Sequence, residues 1–207
     1  MNLKKNLFDR KEKLWRIPFH EENASLKIGS HLLTLLPRVG PQPIVIVCIG
    51  TDRSTGDSLG PLIGTLLEEK KLPHFYVYGT LDDPIHAMNL EEKIAKIYTE
   101  HHNPFIVGID ACLGRLKSVG IVQLGNGPVK PGAGVNKELP EVGHIHITGI
   151  VNVSGFMEFF VLQNTRLSLV LKMAKTIADG IYKASLAYHS KRTWTSIQPS
   201  NSEKHLP

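Results

Sequence analysis

Cysteine is scarce in this sequence, with two residues in 207. Cys48 and Cys112 both lie in apolar segments that are expected to be strands. Free thiols placed in this way suit a reducing compartment far better than a disulfide scaffold. The composition therefore argues against a disulfide-rich secreted domain and predicts a cytoplasmic protein.

Long apolar runs are absent as well. No run approaches the ~18 residues that a membrane-spanning helix needs, and residues 1–22 show no apolar segment followed by a small-residue cleavage site. We therefore expect neither a membrane span nor a signal peptide.

A dense cluster of basic residues is absent too. The formal net charge is +5, but the basic residues are scattered and many fall near the two ends of the chain. No basic cluster alternates with aromatic residues, so a nucleic-acid partner is not expected.

Length and composition are typical of one globular domain. The chain is 42% hydrophobic and 21% charged, which gives it enough apolar residues for a sizeable core. Residues 1–23 are expected to form a basic, partly ordered segment and residues 24–188 a folded α/β domain. Residues 189–207 are expected to form a polar, disordered tail.

Strands and helices are predicted to alternate along the chain. The run Pro43–Ile49 is apolar without alternation, which is typical of a strand covered on both faces, and Pro104–Asp110 is similar up to its acidic end. Further predicted strands are His74–Tyr78, Val119–Leu124 and His144–Val151, and predicted helices are Leu59–Leu67, Leu90–His101 and Thr165–Tyr188. This order predicts βαβ units, hence one three-layer α/β domain whose mostly parallel sheet carries helices on both faces.

Two helix starts carry capping signals. Asp57 or Ser58 can cap the helix that begins at Leu59. Asn89, with Glu92 three residues later, has the spacing of a capping box.

The segment Gly50–Pro61 joins the first buried strand to a helix through a polar loop. Ligands of parallel α/β sheets bind at the carboxyl ends of the strands, and glycines let the backbone approach a ligand. The segment is neither a Walker phosphate loop nor a dinucleotide fingerprint, because it lacks the required lysine and glycine spacing. Asp57 is therefore either a site carboxylate or a simple N-cap.

Asp110 ends a second buried strand. A buried, unpaired aspartate is costly, so its side chain either holds a loop or serves a site. Two aspartates at neighbouring strand ends can share a proton and act as base and acid, or they can bind a divalent metal. We expect the strands ending at Ile49 and Asp110 to be neighbours or one apart, with both carboxylates in one cleft.

Residues 125–143 are too rich in glycine and proline for regular structure. We expect Pro131–Asn136 in this loop to border the aspartate cleft. His144 and His146 follow on one face of a strand, where they are either metal ligands or, more commonly, an exposed pair. Cys48 and Cys112 can be interpreted as nucleophiles, but the sequence favours buried, inert thiols.

Three segments together resemble the YyaC family of sporulation proteins. They are Gly50–Pro61, Ile109–Ala111 and Pro131–Leu139. That family is similar to the germination protease that degrades small acid-soluble spore proteins. It is more distantly similar to hydrogenase maturation endopeptidases, which share a phosphorylase/hydrolase-like architecture.

The resemblance implies a site and its residues. Asp57 and Asp110 take the places of the proposed catalytic pair of the germination protease. Expected substrate-binding residues are Gly50, Thr51, Asp52, Arg53, Ser54, Gly132, Gly134 and Asn136. The only cofactor left open is a divalent metal, with Asp57, Asp110, His144 and His146 as candidate ligands.

The resemblance also implies a function. We expect a peptidase-like hydrolase of sporulation or germination in the cytoplasm of the forespore or the spore interior. Its substrate would be a peptide or protein, with small acid-soluble spore proteins as candidates. Two alternatives stay open: a non-catalytic spore protein that binds a peptide in the same cleft, and a metal-dependent maturation-type endopeptidase.

Overall fold

The computed structural model describes residues 14–132 and 139–197. The strands are β1 (Leu14–Pro18), β2 (Ile44–Cys48), β3 (Phe75–Tyr78), β4 (Phe105–Gly114), β5 (Ile121–Asn126) and β6 (Ile145–Val153). The helices are α1 (Ala24–Leu35), α2 (Leu59–Lys70), α3 (Leu90–Glu100), α4 (Glu158–Gln163) and α5 (Leu167–Ile197), and Leu116–Ser118 forms one 3₁₀ turn.

The described strands form one six-stranded sheet in the order β1-β5-β6-β4-β2-β3. β2 pairs in parallel with β3 and β4, and β4 pairs in parallel with β6. β5 and β1 add two antiparallel pairings at one edge. The prediction of a mostly parallel α/β sheet is confirmed.

Helices cover both faces of the sheet. On one face, Ile44 and Ile46 of β2 belong to the larger core that the sheet shares with α1, α2 and α5. On the other face, Val45 and Val47 belong to a smaller core with α3. All five residues of β2 are buried, as its unbroken apolar run predicts.

Two elements cross the predicted bounds of the domain. β1 lies within the segment 1–23, where it pairs with β5, and α5 continues to Ile197, beyond residue 188. β1 is short and only Ile17 in it is fully buried, so its hydrophobic pattern is weak. The stretch 189–197 contains no glycine or proline, so no helix-breaking residue ends the helix there.

The helix starts are close to those predicted, but their capping chemistry is different. Ser58 occupies the N-cap position of α2 without a capping bond, and its hydroxyl donates to the Thr55 carbonyl oxygen instead (2.7 Å). Asn89 precedes α3 without capping it, because its side-chain oxygen and nitrogen bond to His86 and Pro84. Asp57 precedes the N-cap residue, so the reading of Asp57 as a simple cap is wrong.

A glycine brings α2 against the end of β2. A Cβ atom on Gly60 would lie 2.0 Å from the backbone oxygen of Ile49. Gly60 is in the first turn of α2, so the start of the helix sits directly on the strand end. This contact positions the loop that joins β2 to α2.

No helix within the described ranges combines the length and hydrophobicity that crossing a membrane requires.

Gly60→Ala should destabilise the protein, because the added methyl meets backbone that cannot move aside. We expect a loss of about 1–3 kcal/mol in the free energy of unfolding, measured by chemical denaturation. Gly40→Ala is the matched control, since its nearest contact would be at 3.7 Å. An equal loss in both variants would contradict the close-approach argument.

Candidate functional site

A cleft of about 500 Å³ opens at the carboxyl end of β2, beside the carboxyl half of β4. The expectation that Asp110 ends its strand is wrong, because β4 continues to Gly114 through its pairing with β6. Asp57 and Asp110 both line it. β2 and β4 are direct neighbours: Cys48 pairs with Ile109, and the Ile49 N–H donates to the Ile109 carbonyl oxygen (2.7 Å). The expected placement of the two carboxylates in one cleft is therefore observed.

Asp110 is the more deeply buried of the two carboxyl groups. Its Oδ1 accepts a hydrogen bond from the Ala111 N–H (2.8 Å). Burial raises the pKa of Asp110 well above its ordinary value, the charge of Asp57 raises it further, and the Ala111 N–H opposes the shift only in part. Asp110 therefore favours its protonated form more strongly than an exposed aspartate does.

Asp57 stands in the loop between β2 and α2. The Thr51 N–H donates to the Asp57 backbone oxygen (3.2 Å), and the Gly56 N–H donates to the backbone oxygen of Leu162 in α4 (2.8 Å). Burial raises the pKa of Asp57, and the nearby Ser54 hydroxyl opposes that shift. The loop is thus held from both sides, with its carboxyl group turned to the cleft.

Ser54 adds a polar group to the same wall. Its side chain is buried, and Oγ makes no hydrogen bond of good geometry to another described residue, although it lies close enough to influence Asp57. A buried hydroxyl without a full hydrogen bond is uncommon in folded proteins and often marks a ligand site.

The other predicted substrate-binding residues fall into three groups. Gly50, Thr51, Arg53 and Gly132 line the cleft with Ser54. Asp52 is exposed and does not line it; its Oδ1 accepts a long hydrogen bond from the Thr51 hydroxyl (3.5 Å). Gly134 and Asn136 lie outside the described residues. Pro131 also lines the cleft, so the described start of the loop borders the cleft as expected. The role of all these residues in substrate binding stays a prediction.

The histidines proposed as metal ligands do not join the aspartates. His144 precedes β6, at the amino end of the sheet, and its Nδ1 accepts from the Ile106 N–H (3.0 Å). His146 lies opposite Gly108, and its Nδ1 contacts the Gly127 carbonyl oxygen (3.1 Å). The carboxyl ends of parallel strands lie together at one end of the sheet, whereas a residue that starts a strand lies at the opposite end. Within the described residues, no group of three or more His, Cys, Asp or Glu side chains is arranged to hold a metal.

Of the two cysteines, Cys48 is buried and Cys112 is half-buried. Cys112 lines the cleft, but burial raises its pKa to about 11. Burial also raises the pKa of Cys48, which is fully enclosed. Raised pKa values disfavour the thiolate form of both cysteines near neutral pH. The interpretation of Cys48 and Cys112 as nucleophiles is therefore not supported.

Sequence reasoning missed a histidine and an apolar wall. His86 lines the cleft, and so do Met88, Leu139, Phe159 and Leu162. The rule that sites form at strand ends, applied to β3 and the loop after it, would have pointed to His86. The short helix α4, which contributes two of these side chains, offers too few residues for a clear helical period.

Comparisons with known proteins place the chain in a family. Among solved structures, the crystal structure of a [NiFe] hydrogenase maturation protease, HycI from Thermococcus kodakarensis KOD1, is similar at a TM-score of 0.46 and 17% identity. That match covers 73% of this chain and 98% of the other, and a likeness of this degree does not extend to activity. The uncharacterized protein YyaC of Bacillus subtilis (strain 168) is 57% identical over 182 residues, which are 87% of this chain and 89% of YyaC. Residues 16–180 match the family described as "Protein of unknown function (DUF1256)", and the chain therefore belongs to that family.

Proposed function

We propose that this protein is a peptidase-like hydrolase in which Asp57 and Asp110 form the acid–base pair. The observation that carries the proposal is the shared cleft, where the pKa values of both carboxyl groups are raised. Two neighbouring, partly buried carboxyl groups can share one proton at pH values at which an isolated, exposed aspartate is already deprotonated.

The different surroundings of the two groups assign their roles. Asp110 is the more strongly shifted group and keeps the proton, whereas Asp57 is less buried and is the carboxylate. Asp57 takes a proton from a water molecule that attacks the peptide carbonyl carbon. Asp110 gives its proton to the departing amine, and the proton taken by Asp57 then restores the starting state of the pair.

The cleft suits a chain segment rather than a small polar molecule. The aspartates lie beside an apolar wall that includes Met88 and Phe159, and Arg53 is an exposed cation among the lining residues. A peptide offers both the carbonyl group for hydrolysis and apolar side chains for this wall.

The biological setting belongs to the proposal too. The motifs that resemble sporulation proteins support a role in sporulation or germination, in the cytoplasm of the forespore or the spore interior. Small acid-soluble spore proteins are then the first substrates to test. Incubation of the purified protein with them, followed by gel electrophoresis and mass spectrometry, would reveal cleavage.

Peptide binding without cleavage is the second candidate function. Two exposed apolar side chains line the cleft: Met88 is at 86% and Phe159 at 49% of full accessible surface. Exposed apolar clusters of this kind mark protein-binding surfaces. Saturable binding of a spore protein with no products would favour this candidate.

A metal-dependent endopeptidase fits the described residues less well. Catalytic zinc sites use three protein ligands. His86 lines the cleft with the two aspartates, but no three His, Cys, Asp or Glu side chains among the described residues are arranged to hold a metal ion. We therefore derive no step through a metal. Cleavage that a chelator abolishes and added metal restores would reverse this conclusion.

Asp110→Asn should abolish hydrolysis and leave the fold intact. Asn keeps an oxygen that accepts from the Ala111 N–H and resembles the protonated carboxyl group, but it cannot give or take a proton. We expect the cleavage rate to fall by about 10²–10⁴-fold, with a thermal midpoint equal to or above that of wild type. Exposed Asp82, replaced by Asn, is the matched control and should change neither quantity. A clear fall in the midpoint of Asp110→Asn alone would favour a structural role for Asp110.

Asp110 should also make stability depend on pH in a defined direction. A carboxyl group whose pKa is higher in the folded protein than in the unfolded chain binds more protons when folded, so stability falls as pH rises between the two values. The lower limit of that interval is the ordinary pKa of 3.8. Denaturant titrations from about pH 4 to about pH 8 should show Asp110→Asn gaining stability relative to wild type as pH rises. A difference that stays constant with pH would contradict the raised pKa.

A further inference from the structure

The cleft contains a histidine to which the proposed mechanism of the aspartate pair assigns no role. His86 lines the same cavity as Asp57 and Asp110. It follows Ile85, which is buried and pairs in parallel with Ile49 just beyond β2. His86 is therefore carried to the strand-end edge of the sheet where the two carboxyl groups lie.

Asn89 holds the backbone of His86 in place. The Asn89 side-chain oxygen accepts from the His86 N–H (2.8 Å), and its amide nitrogen donates to the Pro84 carbonyl oxygen (3.0 Å). The Asn89 N–H donates to the His86 carbonyl oxygen (3.0 Å). The turn that presents His86 is thus closed by three hydrogen bonds to one residue, which explains why Asn89 does not cap α3.

The His86 ring has one nitrogen engaged and one available. The Met88 N–H donates to Nδ1 (3.3 Å), so the neutral ring carries its proton on Nε2. Within the described parts of the chain, no other hydrogen bond to this ring is found. His86 therefore offers an N–H donor in the cleft that the two carboxyl groups share.

We infer that His86 is a catalytic residue whose Nε2–H donates a hydrogen bond to the carbonyl oxygen of the peptide bond that is cleaved. This inference rests on the proposed hydrolase function. When the water oxygen bonds to the carbonyl carbon, Asp57 takes the water proton and the carbonyl oxygen gains negative charge. The proton on Asp110 is needed by the departing amine as the C–N bond breaks, so another donor must stabilise the oxyanion. His86 fills that need without losing its proton.

Two substitutions separate a fixed donor from a titrating acid or base. His86→Ala removes the donor and should lower kcat by about 10²–10³-fold with little change in KM. His86→Gln keeps an N–H at nearly the same reach but cannot titrate, and it should retain kcat within about tenfold of wild type. Equal losses in both variants, or no loss in His86→Ala, would overturn the inference.

The assay uses a fluorogenic peptide taken from the small acid-soluble spore protein that wild type cleaves fastest. Thermal melts first establish that each variant is folded. His102→Ala is the matched control, because His102 is exposed and does not line the cleft. Asp110→Asn is measured beside these variants. An inactive Asp110→Asn with a fully active His86→Ala would refute only the role of His86, whereas an active Asp110→Asn, or a wild type that cleaves no peptide, would refute the proposed hydrolase itself.

Discussion

The parallel register between β2 and β4 is the constraint on which the candidate site depends. Cys48 pairs with Ile109, so Asp110 is the first β4 residue beyond the end of β2. The chain that leaves β2 turns into the loop that carries Asp57, and the start of α2 closes over it. A shift of this register by one residue would turn Asp110 to the opposite face of the sheet and separate the two carboxyl groups.

Burial of these carboxyl groups carries a cost in stability. Both are partly removed from water, and Asp110 also faces the charge of Asp57, while one backbone N–H compensates in part. The rest of the domain must hold them in place, which the two cores on opposite faces of the sheet accomplish. The same burial raises the pKa of both carboxyl groups, as is common for acid–base residues in active sites.

Several features of the site depend on contacts between segments distant in sequence. Leu162 of α4 fixes the Asp57 loop by accepting from Gly56, and a Cβ on Gly56 would lie 2.7 Å from the Leu162 side chain. Asn89 closes the His86 turn, although its spacing to Glu92 predicts a capping box. Local propensity cannot choose between a cap and a turn when one side chain is able to form either, and the surrounding backbone decides.

The sequence by itself determined the α/β class, the buried parallel strands and the edge at which Asp57 and Asp110 meet. Unbroken apolar runs followed by a polar residue strongly indicate buried parallel strands. Because ligands of parallel sheets bind near the carboxyl ends of the strands, these runs also predict where the site lies. Only the tertiary structure decided that His144 and His146 lie away from that edge, that α4 supplies an apolar wall and that His86 joins the cleft. These placements follow from strand order, register and packing between distant segments, none of which a local pattern of residues contains.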